Sequence, residues 1–266
     1  APMVYFDVSG RHDSQAETII LSSGLGGSGT YWAPQMDMLE RHFRVVTYDH
    51  HGTGRTGGEV PENGGITAMA DDVIGIAEAL RLNRFHLMGH ALGGLIGLDI
   101  ALRRPELIDR LVLVNAWSVA DPHSGRCFDA RIALLEHAGV EAFVKAQPLF
   151  LYPAVWMSEN GKRLANDDMH GVAHFQGKTN ILRRIAALRA FDVDGALHRI
   201  AARTLVIAAK DDLLVPYTRS VRLVDGLAKA ELCLAEVGAH AMNITQAEFF
   251  NRTVEAFLTG GATASA

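Results

Sequence analysis

The sequence predicts an α/β fold: a mostly parallel central sheet flanked by helices, with a helical insertion. Three observations lead there. Short apolar runs rich in β-branched residues recur at Thr18-Ile19-Ile20-Leu21, Phe43-Arg44-Val45-Val46-Thr47-Tyr48, Leu111-Val112-Leu113-Val114 and Arg203-Thr204-Leu205-Val206-Ile207. Amphipathic segments of helical period lie between most of them, as parallel strands need long crossovers. Between Trp117 and Ala190 the strand signals stop and helical ones take over.

A chain of 266 residues, 48% hydrophobic and 21% charged, can bury a large core. The reading divides it into a core, 1–117 and 191–266, and a helical lid, 118–190. A net charge of −5 without a Lys/Arg run argues against a nucleic-acid partner. No apolar stretch reaches the roughly 20 residues of a membrane span, so no membrane partner is expected. The start, Ala1-Pro2-Met3-Val4-Tyr5, lacks the features of a signal peptide. Cys127 and Cys233 are far apart and in no metal-binding spacing, which fits a reducing compartment; a cytoplasmic protein is expected. Cys233 reads as a core strand residue. A homodimer is compatible with the composition, but no motif specifies it.

In order, Met3 to Val8 and Glu17 to Ser22 read as strands joined by a polar turn. The loop Gly24-Leu25-Gly26-Gly27-Ser28-Gly29 follows the second. Its glycines meet a dinucleotide spacing only loosely and no Walker Lys-Ser/Thr is present, so the better reading is a loop whose backbone N–H groups face a pocket. Tyr31 to Leu39 form a helix packing Trp32, Met36 and Leu39. The strand at Phe43–Tyr48 runs into Asp49-His50-His51-Gly52-Thr53-Gly54. Adjacent histidines in an extended segment point to different sides, so a structural turn is favoured over a metal site.

Ile66 to Leu80 form a helix with Met69, Val73, Ile76 and Ala77 on one face. After the apolar run Phe85–Met88 comes Gly89-His90-Ala91-Leu92-Gly93-Gly94, then a helix to Leu102 that ends before Pro105. Leu107 to Asn115 supply a strand buried on both faces. The insertion carries many aromatic and basic residues, which suits a pocket roof. The β pattern resumes at Arg203–Ala209 and Leu232–Val237, a helix spans Gln246 to Leu258, and the tail from Gly260 is expected to fray. Gly24–Gly27, Asp49, Ala91, Asp212 and His240 all fall at strand C-ends, where parallel sheets place their sites.

Strand, glycine-rich turn and helix around Gly89-His90-Ala91-Leu92-Gly93 make a nucleophile elbow, in which Gly-x-Ser-x-Gly is the usual pattern. Here Ala91 stands where the attacking residue should be. The chain resembles the α/β-hydrolase superfamily over essentially its whole length. That resemblance implies Asp212, four residues before Pro216, as the acid and His240 in Gly238-Ala239-His240 as the base. It also implies the backbone N–H groups of Leu25 and Leu92 as an oxyanion hole. The insertion strings Arg126-Cys127-Phe128, Ala146-Gln147-Pro148-Leu149-Phe150-Leu151-Tyr152-Pro153 and Ala173-His174-Phe175-Gln176-Gly177-Lys178 resemble the RutD-type proteins of the Rut pathway of uracil degradation. The resemblance implies a hydrolase of carbamate or 3-aminoacrylate that releases ammonia, and allows Gly-His-Ala-Leu-Gly as a native elbow. No cofactor or metal is expected, and the partner is a small-molecule substrate.

Ala91 cannot form an acyl-enzyme. Both implied substrates instead pose proton-transfer problems, which a His–Asp pair can serve. Lys178, Arg183 and Arg184 are candidate helpers for the anion, each with solvated surface as the plainer reading. Ser23, Ser118 and Cys127 are candidate substitute nucleophiles. Two alternatives stay open: a serine esterase or amidase seen as an Ala91 variant, and a non-catalytic binding or accessory protein on the same fold.

Overall fold

The computed structural model describes residues 4–261; the expected strand start at Met3 and the tail beyond Gly261 lie outside the described residues. A seven-stranded sheet has the order β1-β3-β2-β4-β5-β6-β7. Its strands are β1 (Phe6–Gly10), β2 (Thr18–Ser22), β3 (Arg44–Tyr48), β4 (Phe85–His90), β5 (Ile108–Val114), β6 (Arg203–Ala209) and β7 (Ala230–Ala235). Only β1 runs antiparallel, against β3; the other five pairings are parallel.

The apolar runs are strands because each strand must feed two cores. Leu87 of β4, Leu111 and Leu113 of β5 and Val206 of β6 face one core, with α2 (Gly65–Ala79) and α3 (Leu92–Arg103). Their alternates Met88, Val112, Val114, Leu205 and Ile207 face the other, with α1 (Ala33–His42) and α11 (Ala247–Thr259). Successive strand side chains point to opposite faces, so a sheet covered on both sides needs near-continuous apolar runs. Truncating one such side chain costs about 2–5 kcal/mol.

Several boundaries differ from the sequence reading. The first strand extends to Gly10 and pairs with β3 rather than β2. The first helix opens at Ala33, with Pro34 in its first turn, and turns Gln35, Met38 and Leu39 inward while Met36 is half-buried. The last strand ends at Ala235, leaving Val237 54% exposed in the loop that carries His240.

Chain direction along the sheet reverses between β2 and β4. Crossover α1 leads from β2 to β3 on one side, and α2 then carries the chain back across to β4 on the other. At such a switch point the loops beyond the strand C-ends splay apart and leave a crevice. The loops after β2 and β4 border it, because Ser22 is in register with Gly89.

Five α-helices lie between β5 and β6: α4 (Pro122–His137), α5 (Val140–Leu151), α6 (Ala154–Glu159), α7 (Gly161–Ala173) and α8 (Lys178–Ala190). The two ends of this insert are stitched together by an antiparallel bridge between Val119 and Asp192. The Val193 N–H also donates to the Ser118 carbonyl at 2.9 Å. After β6 come α9 (Thr218–Gly226), β7 and the short α10 (Met242–Thr245). No described helix is long and apolar enough to cross a membrane.

Candidate active site

The elbow begins with the geometry of Ala91. Its φ of 47° and ψ of −110° lie where a side chain is strained, at a cost of about 1–3 kcal/mol. Tight surroundings hold it there. The Ala91 N–H donates to the Val114 carbonyl at 2.8 Å, and its carbonyl accepts from Gly94 N at 2.8 Å. A Cβ on Gly93 would stand 2.0 Å from the Ser22 carbonyl oxygen, and one on Gly89 2.2 Å from the Gly93 backbone. Only glycine lets α3 pack this close to β2 and β4, which explains the elbow's spacing.

Asp212 and His240 are brought together from the loops after β6 and β7. His240 Nδ1 lies 2.8 Å from Asp212 Oδ2, and both side chains are almost fully buried. A carboxylate only accepts, so Nδ1 carries the hydrogen and Nε2 is the free end of the ring. Asp212 is itself held on every side. Its Oδ1 accepts from Leu214 N at 2.8 Å and Val215 N at 2.9 Å, and its Oδ2 accepts from Asn115 Nδ2 at 2.8 Å. The neighbouring Asp211 steadies the other loop, accepting from Ala239 N at 2.8 Å and Gly238 N at 3.2 Å. Asn115, at φ 49° just after β5, was not singled out by the sequence reading.

Below Ala91 lies a second imidazole. His90 Nε2 is 2.7 Å from the His240 carbonyl oxygen, so it must donate, and His90 is the Nε2–H tautomer. Burial, then the nearby His240, pushes its pKa down to about 3. Its Nδ1 is buried without a partner and sits against Gly24, where a Cβ would come within 2.9 Å. The Tyr31 ring lies alongside, with centroids 4.9 Å apart, and its hydroxyl donates to Asn243 Oδ1 at 2.8 Å.

The proposed oxyanion donors come from two different elements. Leu92 opens α3, where first-turn N–H groups lack an intrahelical partner. Leu25 is a central residue of the turn closed by Gly27 N donating to Gly24 O at 3.0 Å, a bond that leaves the Leu25 N–H out. The insert clamps this turn from above. Arg184 Nη1 donates to the Leu25 carbonyl at 3.1 Å and Gln176 Nε2 does so at 3.2 Å. Arg184 also donates to Gln176 Oε1 at 2.5 Å, to Thr53 Oγ1 at 2.7 Å and to the His51 carbonyl. The surface reading of Arg184 is therefore corrected: it is 1% exposed, and burial pulls its pKa down to about 10. A signal was present, since Arg184 falls in the stripe Ile181, Arg184, Ile185, Leu188 at helical spacing. Lys178 and Arg183 instead meet surface carboxylates, Glu136 at 3.8 Å and Glu59 at 3.1 Å.

None of the substitute nucleophiles has an imidazole able to take its proton. Ser23 Oγ is buried without a partner, and Ser118 Oγ donates to Asp194 at 2.6 Å. Cys127 Sγ lies 3.6 Å from His123 Nε2, but that nitrogen donates to the Leu213 carbonyl at 2.6 Å and cannot accept a proton. Burial raises the Cys127 thiol. Asp49 binds Gly29 N at 2.9 Å and Arg55 N at 3.1 Å, and His51 turns away to Asp72 at 2.7 Å. That is a turn-stabilising arrangement. At the opposite end of β4, Glu17 and Asp109 approach the two different nitrogens of His86, at 3.1 and 3.4 Å. One ligand atom from each of Glu17, His86 and Asp109 lies within 4.8 Å of the other two, a cluster remote from the elbow. A cavity of about 290 Å³ between insert and core is lined by Phe150, Tyr152, Asp211, Leu213 and Ala239.

Sheet order, elbow and the Asp212–His240 pair define a protein of the α/β-hydrolase class. A family model for the α/β hydrolase fold matches residues 17–148. The enol-lactonase from Burkholderia xenovorans superposes with a TM-score of 0.86 at 28% identity, over 96% of each chain. A protein of Agrobacterium fabrum, provisionally named carbamate hydrolase RutD, is 70% identical over 96% of this chain and 98% of its own length. Another from Pseudomonas syringae with the same provisional name is 51% identical over 92% and 95%. The chain belongs to the RutD family within the α/β-hydrolase fold.

Proposed function

We propose that this protein hydrolyses a small amino-carboxylate, carbamate or 3-aminoacrylate, and releases ammonia in uracil degradation. A His240–Asp212 dyad moves the protons and no side chain attacks. The observation that carries the reading is the buried 2.8 Å contact between His240 Nδ1 and Asp212, beside an elbow whose residue 91 has only a methyl group. The provisional name of the RutD relatives supports the substrate class.

The chemistry balances without a covalent intermediate. With carbamate, His240 first takes a proton from solvent on its free Nε2; the imidazolium delivers that proton to nitrogen, the C–N bond breaks, and ammonia and carbon dioxide leave. With aminoacrylate, the proton goes to C2 and leaves an iminium at C3. The now neutral imidazole takes a proton from water as that water adds to C3, and collapse expels ammonia. In both cases the substrate carboxylate lies at the Leu25 and Leu92 amides, where the positive end of α3 favours an anion. Asp212 keeps the ring oriented and stabilises the imidazolium.

Ammonia release with and without enzyme tests this, with the spontaneous rate subtracted. His240→Ala is expected to lose about 10²–10⁴-fold, the usual worth of a positioned acid–base group. Asp212→Asn is expected to lose a comparable factor. Its amide NH₂ must face either two backbone N–H donors or the Asn115 and His240 donors, so no rotamer satisfies the site. Ammonia release unchanged by His240→Ala would sink the dyad.

A further inference from the structure

Arg131 is an uncompensated cation inside the insert. It stands on α4, 2% exposed, with its guanidinium carbon 5.7, 5.6 and 5.3 Å from the ring centroids of Phe128, Phe143 and Phe150. Its Nε is sealed off without an acceptor, and among the described residues it has neither a hydrogen bond nor a carboxylate partner. Burial lowers its pKa only to about 10, so it stays charged at neutral pH. Aromatic faces attract a guanidinium but accept none of its five N–H donors in hydrogen bonds of full strength. A buried charge left in this state is costly and calls for a partner from outside the chain.

Three tethers join the surroundings of this cation to the candidate active site. First, α4 leans on the loop of the acid: His123 Nε2 donates to the Leu213 carbonyl at 2.6 Å and Ser124 Oγ to the Leu214 carbonyl at 2.7 Å. Cys127, one turn before Arg131 on the same buried stripe, places its sulfur 3.8 Å from the Leu213 carbonyl. Second, Phe150 lines the cavity shared with Asp211, Leu213 and Ala239. The next residue, Leu151, accepts the N–H of Ala241, beside His240, at 2.9 Å. Third, Phe143 meets Phe175 edge-on at 5.8 Å, and the adjacent Gln176 holds the Leu25 carbonyl. The residues packed around Arg131 are thus tied to the loops of the acid and the base and to the Leu25 turn.

We propose that Arg131 is an anion subsite in the roof of the site and receives the carboxylate of a small substrate. This rests on the amino-carboxylate reading and extends it by naming the side chain that recognises the anion. A carboxylate has two oxygens, so one can lie at the Leu25 and Leu92 amides while the guanidinium takes the other.

The test uses acrylate as an unreactive probe and acrylamide as its uncharged counterpart, with binding followed by calorimetry. Wild-type protein is expected to bind acrylate at least about tenfold more tightly than acrylamide, as a charge-assisted contact would give. Arg131→Met should bring the two within about twofold of each other, and Arg131→Lys, which keeps a point charge, should lie between. Arg131→Met is also expected to raise KM with kcat nearly unchanged, because the contact is made in ground and transition states alike. If Arg131 only packs against the rings, both variants will shift Tm while the acrylate preference stays, and the proposal is overturned. Should Arg131→Met fail to fold, the ¹⁵Nε signal of Arg131 in wild-type protein must move on acrylate addition; a still signal overturns the proposal too. Binding is read without turnover. A failed His240→Ala experiment therefore leaves this result standing, and an unchanged acrylate preference removes Arg131 alone.

Discussion

His90 donates through Nε2 to the backbone carbonyl of His240 at 2.7 Å, so the residue just before the elbow position holds the main chain of the proposed base. The two rings lie 4.7 Å apart. An elbow residue that reads as a spacer thereby reaches across to a loop 150 positions away in sequence.

Removing that donor leaves a buried carbonyl unpaired, which costs about 1–3 kcal/mol and loosens the loop that aims the imidazole. His90→Leu is expected to lower kcat for ammonia release by about tenfold, because proton transfer depends on alignment more than binding does. His90→Gln, which keeps an N–H donor, should recover part of the loss. Equal rates for the leucine and glutamine variants would assign His90 to packing alone.

Stability should fall on mild acidification. Burial is the first cause that moves His50 and His90 from an ordinary 6.5 to about 3. Above pH 6.5 neither the folded nor the unfolded chain protonates these rings. Between 6.5 and about 3 only the unfolded chain takes up the proton, so folding stability declines as pH falls. At about 1.4 kcal/mol per pH unit and group, each ring removes on the order of 2 kcal/mol between pH 7 and pH 5. Urea unfolding at the two pH values measures the loss. His90→Leu should show a drop smaller by about one ring's share, and an identical drop would contradict the assignment.

Ala91→Ser should create a nucleophile where none exists. The strained turn is already built, and the Asp212–His240 pair stands ready as the general base. The variant is expected to hydrolyse p-nitrophenyl acetate at least about 10²-fold faster than the parent, with a burst of p-nitrophenol from acyl-enzyme formation. Ammonia release should not rise with it. A parallel rise would favour a serine hydrolase whose nucleophile has been replaced.

The sequence alone carried the α/β architecture and the positions at strand ends, because both depend on local periodicity. Leu111-Val112-Leu113-Val114 must be buried on two faces whatever surrounds it, and Gly89, Gly93 and Gly94 announce a close approach before any neighbour is known. Asp212 and His240 were legible as strand-end positions in the same way, while their roles as acid and base were what the resemblance to the superfamily implied. Partners were not legible. Asn115 is a single polar residue after β5, and its link to Asp212 spans 97 positions. Arg131 and Arg184 read as ordinary basic residues unless their places in apolar helical stripes are weighed. Only the tertiary structure decided that Arg184 clamps the Leu25 turn and that Arg131 stands without a counter-ion among the described residues. Burial follows from a residue's spacing along its own helix or strand, whereas the partner of a charge depends on which distant segments the packing brings beside it.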